Sequence, residues 1–496
     1  MVDSGADEKV GVDLRAARWA FGALIAIGLV LRLAHLRQPM RHDEAYTFLH
    51  YASAPLSTAL SDYTFPNNHL FHTLLVWMTT RVLGGSPEAI RLPAFVSGVL
   101  LLPAVYLLAR RFVDRGAALI ALGLAAAWPA LVLYSTNARG YSIIALAFVA
   151  LLLLGERAIE PASRRPWPWI GLVMAIGAYT APVMLYPAGS ALVWITVESR
   201  RVHGRSAMWR TVRWASVTAV VAGIVVLLAY LPAIAHSGLD AVVANKYVTP
   251  LTPGGLVAAL PEFAGDLAVS LGLGIPLPAL AALALAAAAG IVAPGPDRAR
   301  RISLAASVLG WCVLLLFVTR RPPPSRVWLF LVPLGCVYIG NGLAIGARWV
   351  ARRAALTGPD RSALLAVALA AGMCVWTLVT RPVFRSPETG TLVDAPDIAR
   401  YLLATLGPGD RVVAASPCDV PLDYYLRRLG GRSLAGIDSA AGPGRVFVVV
   451  NPRHLQTLAS VQAAARNVSW SGLQQEGEPV MFAPASVHTF RLAPAR

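Results

Sequence analysis

Two acids stand side by side at Asp43-Glu44, seven residues beyond an apolar segment that runs from Trp19 to Leu36. Placing two like charges at a membrane edge is costly unless something pairs with them, so ionisable groups there point to function. An aspartate in such a loop suits one task well: taking the proton from an acceptor hydroxyl, whose own pKa lies far above neutrality. Elsewhere in the chain Arg139, Lys246, Arg320, Arg321 and Arg326 supply cations, Asn67-Asn68-His69 supplies amides and an imidazole with His72 one turn on, and Tyr141 follows Arg139 by two residues. Arginine binds phosphate oxygens with a planar, permanently charged fork. A leaving phosphate needs such charge and no general acid. Each group also has a plainer reading. The acid pair and Asp62 would be solvated, the arginines would be snorkelling anchors, Asn67-Asn68-His69 would be a turn and helix cap, and the tyrosines would be belt residues.

The elements that must position these groups follow from composition. Of 496 residues, 56% are hydrophobic and 14% charged, against about 25% charged in soluble domains. Mean hydropathy is +0.60. This is the composition of a polytopic membrane protein. The net charge of +17 would suggest nucleic acid in a soluble chain. Here the arginines gather between apolar segments, which points to membrane lipids and phosphate-bearing lipids as partners, and not to nucleic acid. Four cysteines without CxxC or Cys/His spacing support neither a disulfide framework nor a zinc site.

Eleven segments are long and apolar enough to be expected as spans: 19–36, 88–109, 117–134, 141–156, 167–181, 183–198, 211–231, 276–293, 302–319, 326–346 and 362–380. The first lacks a small-residue cleavage site and reads as a retained anchor. Basic clusters near residues 110–115, 157–165, 200–205, 298–301 and 348–361 orient the chain by the positive-inside rule. They put residues 1–18 in the cytoplasm and the tail outside. His69 to Leu83, about fifteen residues, then lies against the outer face and does not cross. The outer side holds the large first loop 37–87 with the acid pair, the turn Ser135 to Gly140 with Arg139, the loop 232–275 with Lys246, and the turn from Arg320 to Arg326. That last turn is basic where the rule expects few arginines.

The membrane domain is thus expected at 19–380, and 381–496 reads as a small extracytoplasmic α/β domain. Asp394-Ala395-Pro396 starts a helix through Leu406, and Gly407-Pro408-Gly409 stops it. Arg411 to Ala415 and Val446 to Val450 read as buried strands, Asp419 to Leu429 and His454 to Ala465 as helices.

A set of local motifs in this order resembles a known family. They are His42-Asp43-Glu44-Ala45-Tyr46, Asn68-His69-Leu70-Phe71-His72, Arg91-Leu92-Pro93-Ala94, Tyr106-Leu107-Leu108-Ala109-Arg110-Arg111-Phe112 and Asn137-Ala138-Arg139-Gly140-Tyr141. The pattern is similar to the GT-C membrane glycosyltransferases, in the branch of protein O-mannosyltransferases and lipid A aminoarabinose transferases (glycosyltransferase family 39). The resemblance covers about residues 19–200 well and the tail only in architecture. It implies a polytopic all-α GT-C domain with about eleven transmembrane helices and a small α/β extracytoplasmic domain at the C-terminus. It also implies a polyprenyl-phosphate sugar as donor and a glycan, lipid or protein acceptor. Asp43 would be base or acceptor ligand, with Glu44 beside it as neighbour, acceptor ligand or metal ligand. Arg139 would lie at the active site, and the arginines of the 320–326 turn would hold the lipid phosphate. No cofactor is required; a divalent metal is compatible with the acid pair, though no spacing demands one. This chain has Asn68-His69-Leu70 where relatives often carry His-Pro-Pro, and its loop 232–275 is too short for the sugar-binding domain inserted in protein mannosyltransferases. The expected setting is therefore the cytoplasmic membrane of a bacterium, modifying lipid or polysaccharide.

Two other functions fit parts of the pattern. A lipid-linked glycan transporter or flippase would use arginines and a cavity, but would be expected to show paired halves and gives the outer acid pair no role. A polysaccharide polymerase or ligase would be expected to carry its arginines in a large late outer loop, and the late loop here is short.

Overall fold

A computed structural model of the chain describes residues 14–160, 163–243, 248–354, 361–438 and 444–492. These fall into two compact units: 1–36, 60–76 and 91–383 form the first, and 37–59, 77–90 and 384–496 the second, within the described residues.

The first unit is helical. Among the described residues eight helices are long and apolar enough to cross a membrane: Leu14–Leu36, Pro87–Phe112, Tyr141–Ile159, Pro182–Ser237, Pro253–Gly272, Arg298–Thr319, Ser325–Arg353 and Ser362–Thr380. The protein is a multi-pass membrane protein. All eleven segments expected as spans fall on helical chain. Two of them, 183–198 and 211–231, lie in the single stretch Pro182–Ser237, which is broken at Gly204 (φ 82°, ψ −174°) inside the basic corner between them. Thr211 Oγ1 donates to Ser199 Oγ at 2.9 Å across that corner. Pro166–Thr180 and Leu277–Val292 are shorter helices of 15 and 16 residues. Leu70–Leu83 has 14 residues, short of a crossing. Pro253–Gly272 differs from expectation, since the segment 232–275, read from the sequence as a loop, contains a 20-residue helix with mean hydropathy 1.3. Thr252 caps it, accepting from Gly255 N at 3.1 Å, and Pro253 sits at the first position, where its missing N–H is harmless.

One helix pair sets the position of Arg139. Arg115–Ala127 and Pro129–Ser135 meet at 56°. Pro129 has no N–H and forces Trp128 to extended backbone (φ −64°, ψ 118°), which orphans carbonyls in the preceding turn. Arg32, buried in Leu14–Leu36, repairs the break: Nη1 donates to Ala126 O at 2.8 Å and Gly28 O at 3.0 Å, Nη2 to Ala125 O at 3.4 Å, and Nε to Ser135 Oγ at 3.2 Å. A proline break within a membrane survives when a neighbour satisfies the freed groups in this way. The close packing of Leu277–Val292 on Leu331–Arg353 relies on small residues: a Cβ at Gly342 would strike the Ala286 carbonyl, and one at Gly290 the Tyr338 carbonyl.

The second unit carries the sheet. Its strands are β1 (Arg411–Ala414), β2 (Val446–Val450), β3 (Leu473–Gln475), β4 (Val480–Met481) and β5 (Ser486–Leu492). The order is β1-β2-β5-β3 with β4 also on β5; β1 and β2 are parallel, and β5 is antiparallel to its neighbours. The expected helices and strands of the tail appear as Ala395–Thr405, β1, Asp419–Gly430, β2 and Leu458–Ala464. Val413, Val448, Val450, Val461 and Phe490 pack into one core.

Candidate functional site

In the first unit the turn after Ser135 is buried throughout, and Arg139 is 2% exposed. Its guanidinium is held from the segment before Leu70: Nη1 donates to Asn67 O at 2.8 Å and Nη2 to Asn67 Oδ1 at 3.3 Å. His69 is fixed by the same turn, because Gly140 N–H donates to its Nδ1 at 2.9 Å. Burial, with Arg139, His72 and Arg326 nearby, pushes the His69 pKa well below its ordinary value, so the ring is neutral. The other ring nitrogen, Nε2, lies 3.3 Å from Arg139 Nη2, so a backbone N–H and a guanidinium both meet a neutral ring that accepts at one nitrogen only.

Tyr141 closes this cluster. Its ring meets His69 edge-on at 5.0 Å and Tyr134 at 5.3 Å, Arg139 lies 5.9 Å from its centroid, and Arg326 Nε donates to Tyr141 Oη at 3.1 Å. His72 is fully buried one turn after His69; neither ring nitrogen has a hydrogen-bond partner, and burial and Arg139 push its pKa down to about 3. Five sequence-derived residues are therefore placed as follows. His69, Arg139, Tyr141 and Arg326 come together. Asn68 faces inward and ties the loop, with Nδ2 donating to Asp62 O and Oδ1 accepting from Thr73 Oγ1, both at 2.7 Å.

The other two arginines of the late turn sit differently. Arg320 ends its helix in left-handed backbone (φ 52°), is exposed, and its carbonyl accepts from Leu251 N at 2.8 Å. Arg321 is half-buried. Arg326 reaches Tyr141 because the chain tightens into a 3₁₀ segment at Ser325–Phe330. Lys246 lies outside the described residues.

In the second unit, the acid pair opens the short helix His42–Thr47. Its first N–H groups are satisfied by the tail: His42 N donates to Gly390 O and Asp43 N to Thr389 O, both at 3.1 Å. Gly390 is needed there twice over, by its positive φ of 70° and because a Cβ would lie 2.8 Å from His42 Cβ. Glu44 is fully buried and its Oε1 accepts from Arg41 N at 2.8 Å, so it caps its own helix. Arg41 binds the tail through Ser386 O at 3.0 Å and Glu388 O at 2.7 Å.

Asp43 keeps a partly accessible side chain, 14% exposed. Its Oδ1 lies 3.6 Å from His42 Nδ1, and the other ring nitrogen of His42 lies 3.8 Å from Asp419 Oδ1. One imidazole thus stands between two carboxylates. Burial raises the Asp419 pKa against the opposing pull of His42. Neither Asp419 nor a role for His42 was read from the sequence; an acid in the first turn of a helix looks like a dipole residue. Among the described residues, no three His, Cys, Asp or Glu side chains are grouped to hold a metal ion.

The family model of dolichyl-phosphate-mannose-protein mannosyltransferases matches residues 67–235, the segment that carries His69, Arg139 and Tyr141. No curated protein matches by sequence. The fold is similar to that of ArnT from Cupriavidus metallidurans, solved in the apo state and bound to undecaprenyl phosphate, with a TM-score of 0.59, 16% identity, and 94% of this chain and 97% of that chain covered. An Archaeoglobus fulgidus oligosaccharyltransferase tethered with an acceptor peptide aligns over 79% of this chain and 58% of its own, at a TM-score of 0.46 and 14% identity. The resemblance to the GT-C membrane glycosyltransferases is borne out in the fold and in the matched segment.

Proposed function

We propose that the protein transfers a sugar from a polyprenyl-phosphate donor to an acceptor hydroxyl at the outer face of a bacterial cytoplasmic membrane. The observation that carries this reading is the convergence of two arginines on one tyrosine: Arg139 lies 5.9 Å from the Tyr141 ring centroid and Arg326 Nε donates to its Oη at 3.1 Å. Two guanidinium groups brought this near one another, beside a His69 ring held neutral, favour an anion. A phosphate accepts from both and is stabilised by both. That ArnT, similar in fold, was solved bound to undecaprenyl phosphate supports a prenyl phosphate as the anion.

The reaction is a single displacement with inversion. The acceptor oxygen attacks the anomeric carbon, the bond from that carbon to the phosphate oxygen breaks, and the electron pair leaves on polyprenyl phosphate. Asp43 takes the hydroxyl proton, while Glu44, engaged in its cap, holds the helix that presents Asp43. His69 and His72, both neutral, add no titrating group at the phosphate.

The test is mass spectrometry of cell-envelope glycolipids and polysaccharides with and without the protein, followed by release of polyprenyl phosphate by purified protein given the donor so identified. A sugar-bearing product that depends on the protein is expected; an unchanged envelope and no release would sink the reading.

A further inference from the structure

A cleft of about 400 Å³ lies in the second unit at the carboxyl end of β1, its lining including Val413, Ala414, Asp419, Ala435, Val461 and Ala464. In α/β sheets, ligands bind outside the carboxyl ends of the parallel strands, and this volume lies in the range of small-molecule sites. The lining contains one ionisable group, Asp419, and no Lys, Arg or His. It therefore disfavours phosphates and other anions. Asp419 Oδ1 is buried and lies 3.8 Å from His42 Nε2. A carboxyl group facing a cleft walled with alanine and valine methyls suits a ligand with hydroxyls on an otherwise aliphatic ring.

We infer that this cleft binds sugar residues of the acceptor, an uncharged glycan, and that Asp419 accepts hydrogen bonds from its hydroxyls. The inference rests on the reading of Asp43 as base and adds the acceptor class and its place. His42 links the two: its Nε2 faces Asp419 and its Nδ1 lies 3.6 Å from Asp43 Oδ1. A glycan seated against Asp419 is thus one imidazole away from the base, and the reacting hydroxyl is the one directed along His42. Burial keeps the Asp419 carboxyl readier to hold a proton than an ordinary aspartate, so it exchanges hydrogen bonds with hydroxyls in either state.

The test is saturation-transfer NMR on the full-length protein in lipid nanodiscs, with methyl α-D-mannopyranoside, methyl β-D-glucopyranoside and maltose as probes and glucose 1-phosphate as the anionic control. Signal from at least one glycoside and none from the phosphate is expected. Asp43→Asn should keep that signal. Ala464→Trp, an exposed position on the cleft wall, should reduce it at least tenfold with thermal stability unchanged, and Ala435→Trp on the facing wall should do the same. No glycoside signal in the wild type, or undiminished signal in both tryptophan variants, would overturn the site. Full sugar transfer by Asp43→Asn would overturn the base assignment and leave the binding result standing on its own.

Discussion

His69 meets one turn of chain at both of its ring nitrogens, Gly140 N–H at Nδ1 (2.9 Å) and Arg139 Nη2 at Nε2 (3.3 Å). A neutral imidazole accepts at one nitrogen and carries its proton on the other. The Gly140 contact and the Arg139 side chain come from the same turn, so the backbone that presents the guanidinium also fixes the ring beside it.

That arrangement makes Arg139→Lys a severe change. Lysine keeps the charge but loses the fork that grips Asn67 while facing the anion. Loss of one preorganised donor to developing charge costs about 10²–10³ in rate. A fall of that order in kcat/KM for the donor is expected, with the protein still folded by gel filtration. Activity within about threefold of wild type would remove Arg139 from the phosphate.

The late turn gives a contrast within one segment. Arg326 donates to Tyr141 Oη at 3.1 Å, whereas Arg320 is exposed at a helix end. Arg326→Ala should raise the donor KM about tenfold or more, as expected from a lost charge-assisted contact worth roughly 1.5–3 kcal/mol. The double change Arg320→Ala with Arg321→Ala should weaken donor use more than acceptor use, but by less than Arg326→Ala. Donor titrations of the variants decide it; the reverse ranking would return the donor site to Arg320 and Arg321.

Much of this was legible before the structure, and the misses have physical causes. The spans stood out because apolar length is a strong signal, and the acids stood out against them. The helix Ala395–Thr405 was readable from its Pro396 start and glycine stop. β3 and β4 are too short, at 3 and 2 residues, to show any alternation. Pro253–Gly272 carries Glu262 and Asp266, which diluted its apolar signal. Glu44 was legible as an acid but not as a cap, because the N-cap residue is Arg41 and not the Ser or Thr that marks a capping box. Arg320 and Arg321 drew notice by defying the charge rule. The reach of Arg326 depends on a 3₁₀ segment that a run of prolines conceals.

The acid pair separates cleanly by substitution. Asp43→Asn is expected to abolish sugar transfer with membrane levels and thermal stability unchanged. Glu44→Gln keeps an oxygen for Arg41 N–H and should retain most activity, whereas Glu44→Ala removes the cap, for a loss of about 1–2 kcal/mol of stability. Thermal unfolding in detergent beside a transfer assay measures both. Full transfer by Asp43→Asn, or Glu44→Gln as inactive as Asp43→Asn, would contradict the division of roles.

Arg32 carries a prediction about folding. Arg32→Met leaves the Ala126 carbonyl, now 2.8 Å from Nη1, without that donor in an apolar setting. An unmet buried acceptor costs about 1–3 kcal/mol, and here the break at Trp128-Pro129 exposes more than one. A lower yield of monodisperse protein and a reduced Tm are expected, with Arg32→Lys intermediate because its ammonium lacks the guanidinium's fork. Wild-type Tm in Arg32→Met would show that the break satisfies itself.

Asp419 predicts a pH effect of definite sign. Burial raises its pKa above the ordinary aspartate value, with His42 opposing. The folded state then holds this proton more tightly than the unfolded chain, so the group's contribution to stability is complete below the ordinary value and is lost as pH rises through the raised one. An asparagine side chain at this position cannot ionise and escapes that loss. Asp419→Asn should therefore raise Tm at pH 7.5, and its advantage should shrink on acidification toward pH 4. The side chain is 34% exposed, so solvent screening keeps the effect small. Scanning fluorimetry of both proteins across that range provides the check. A Tm difference that does not change with pH would show that the carboxyl titrates as an ordinary aspartate, and a lower Tm at pH 7.5 would show that the His42 pairing outweighs burial.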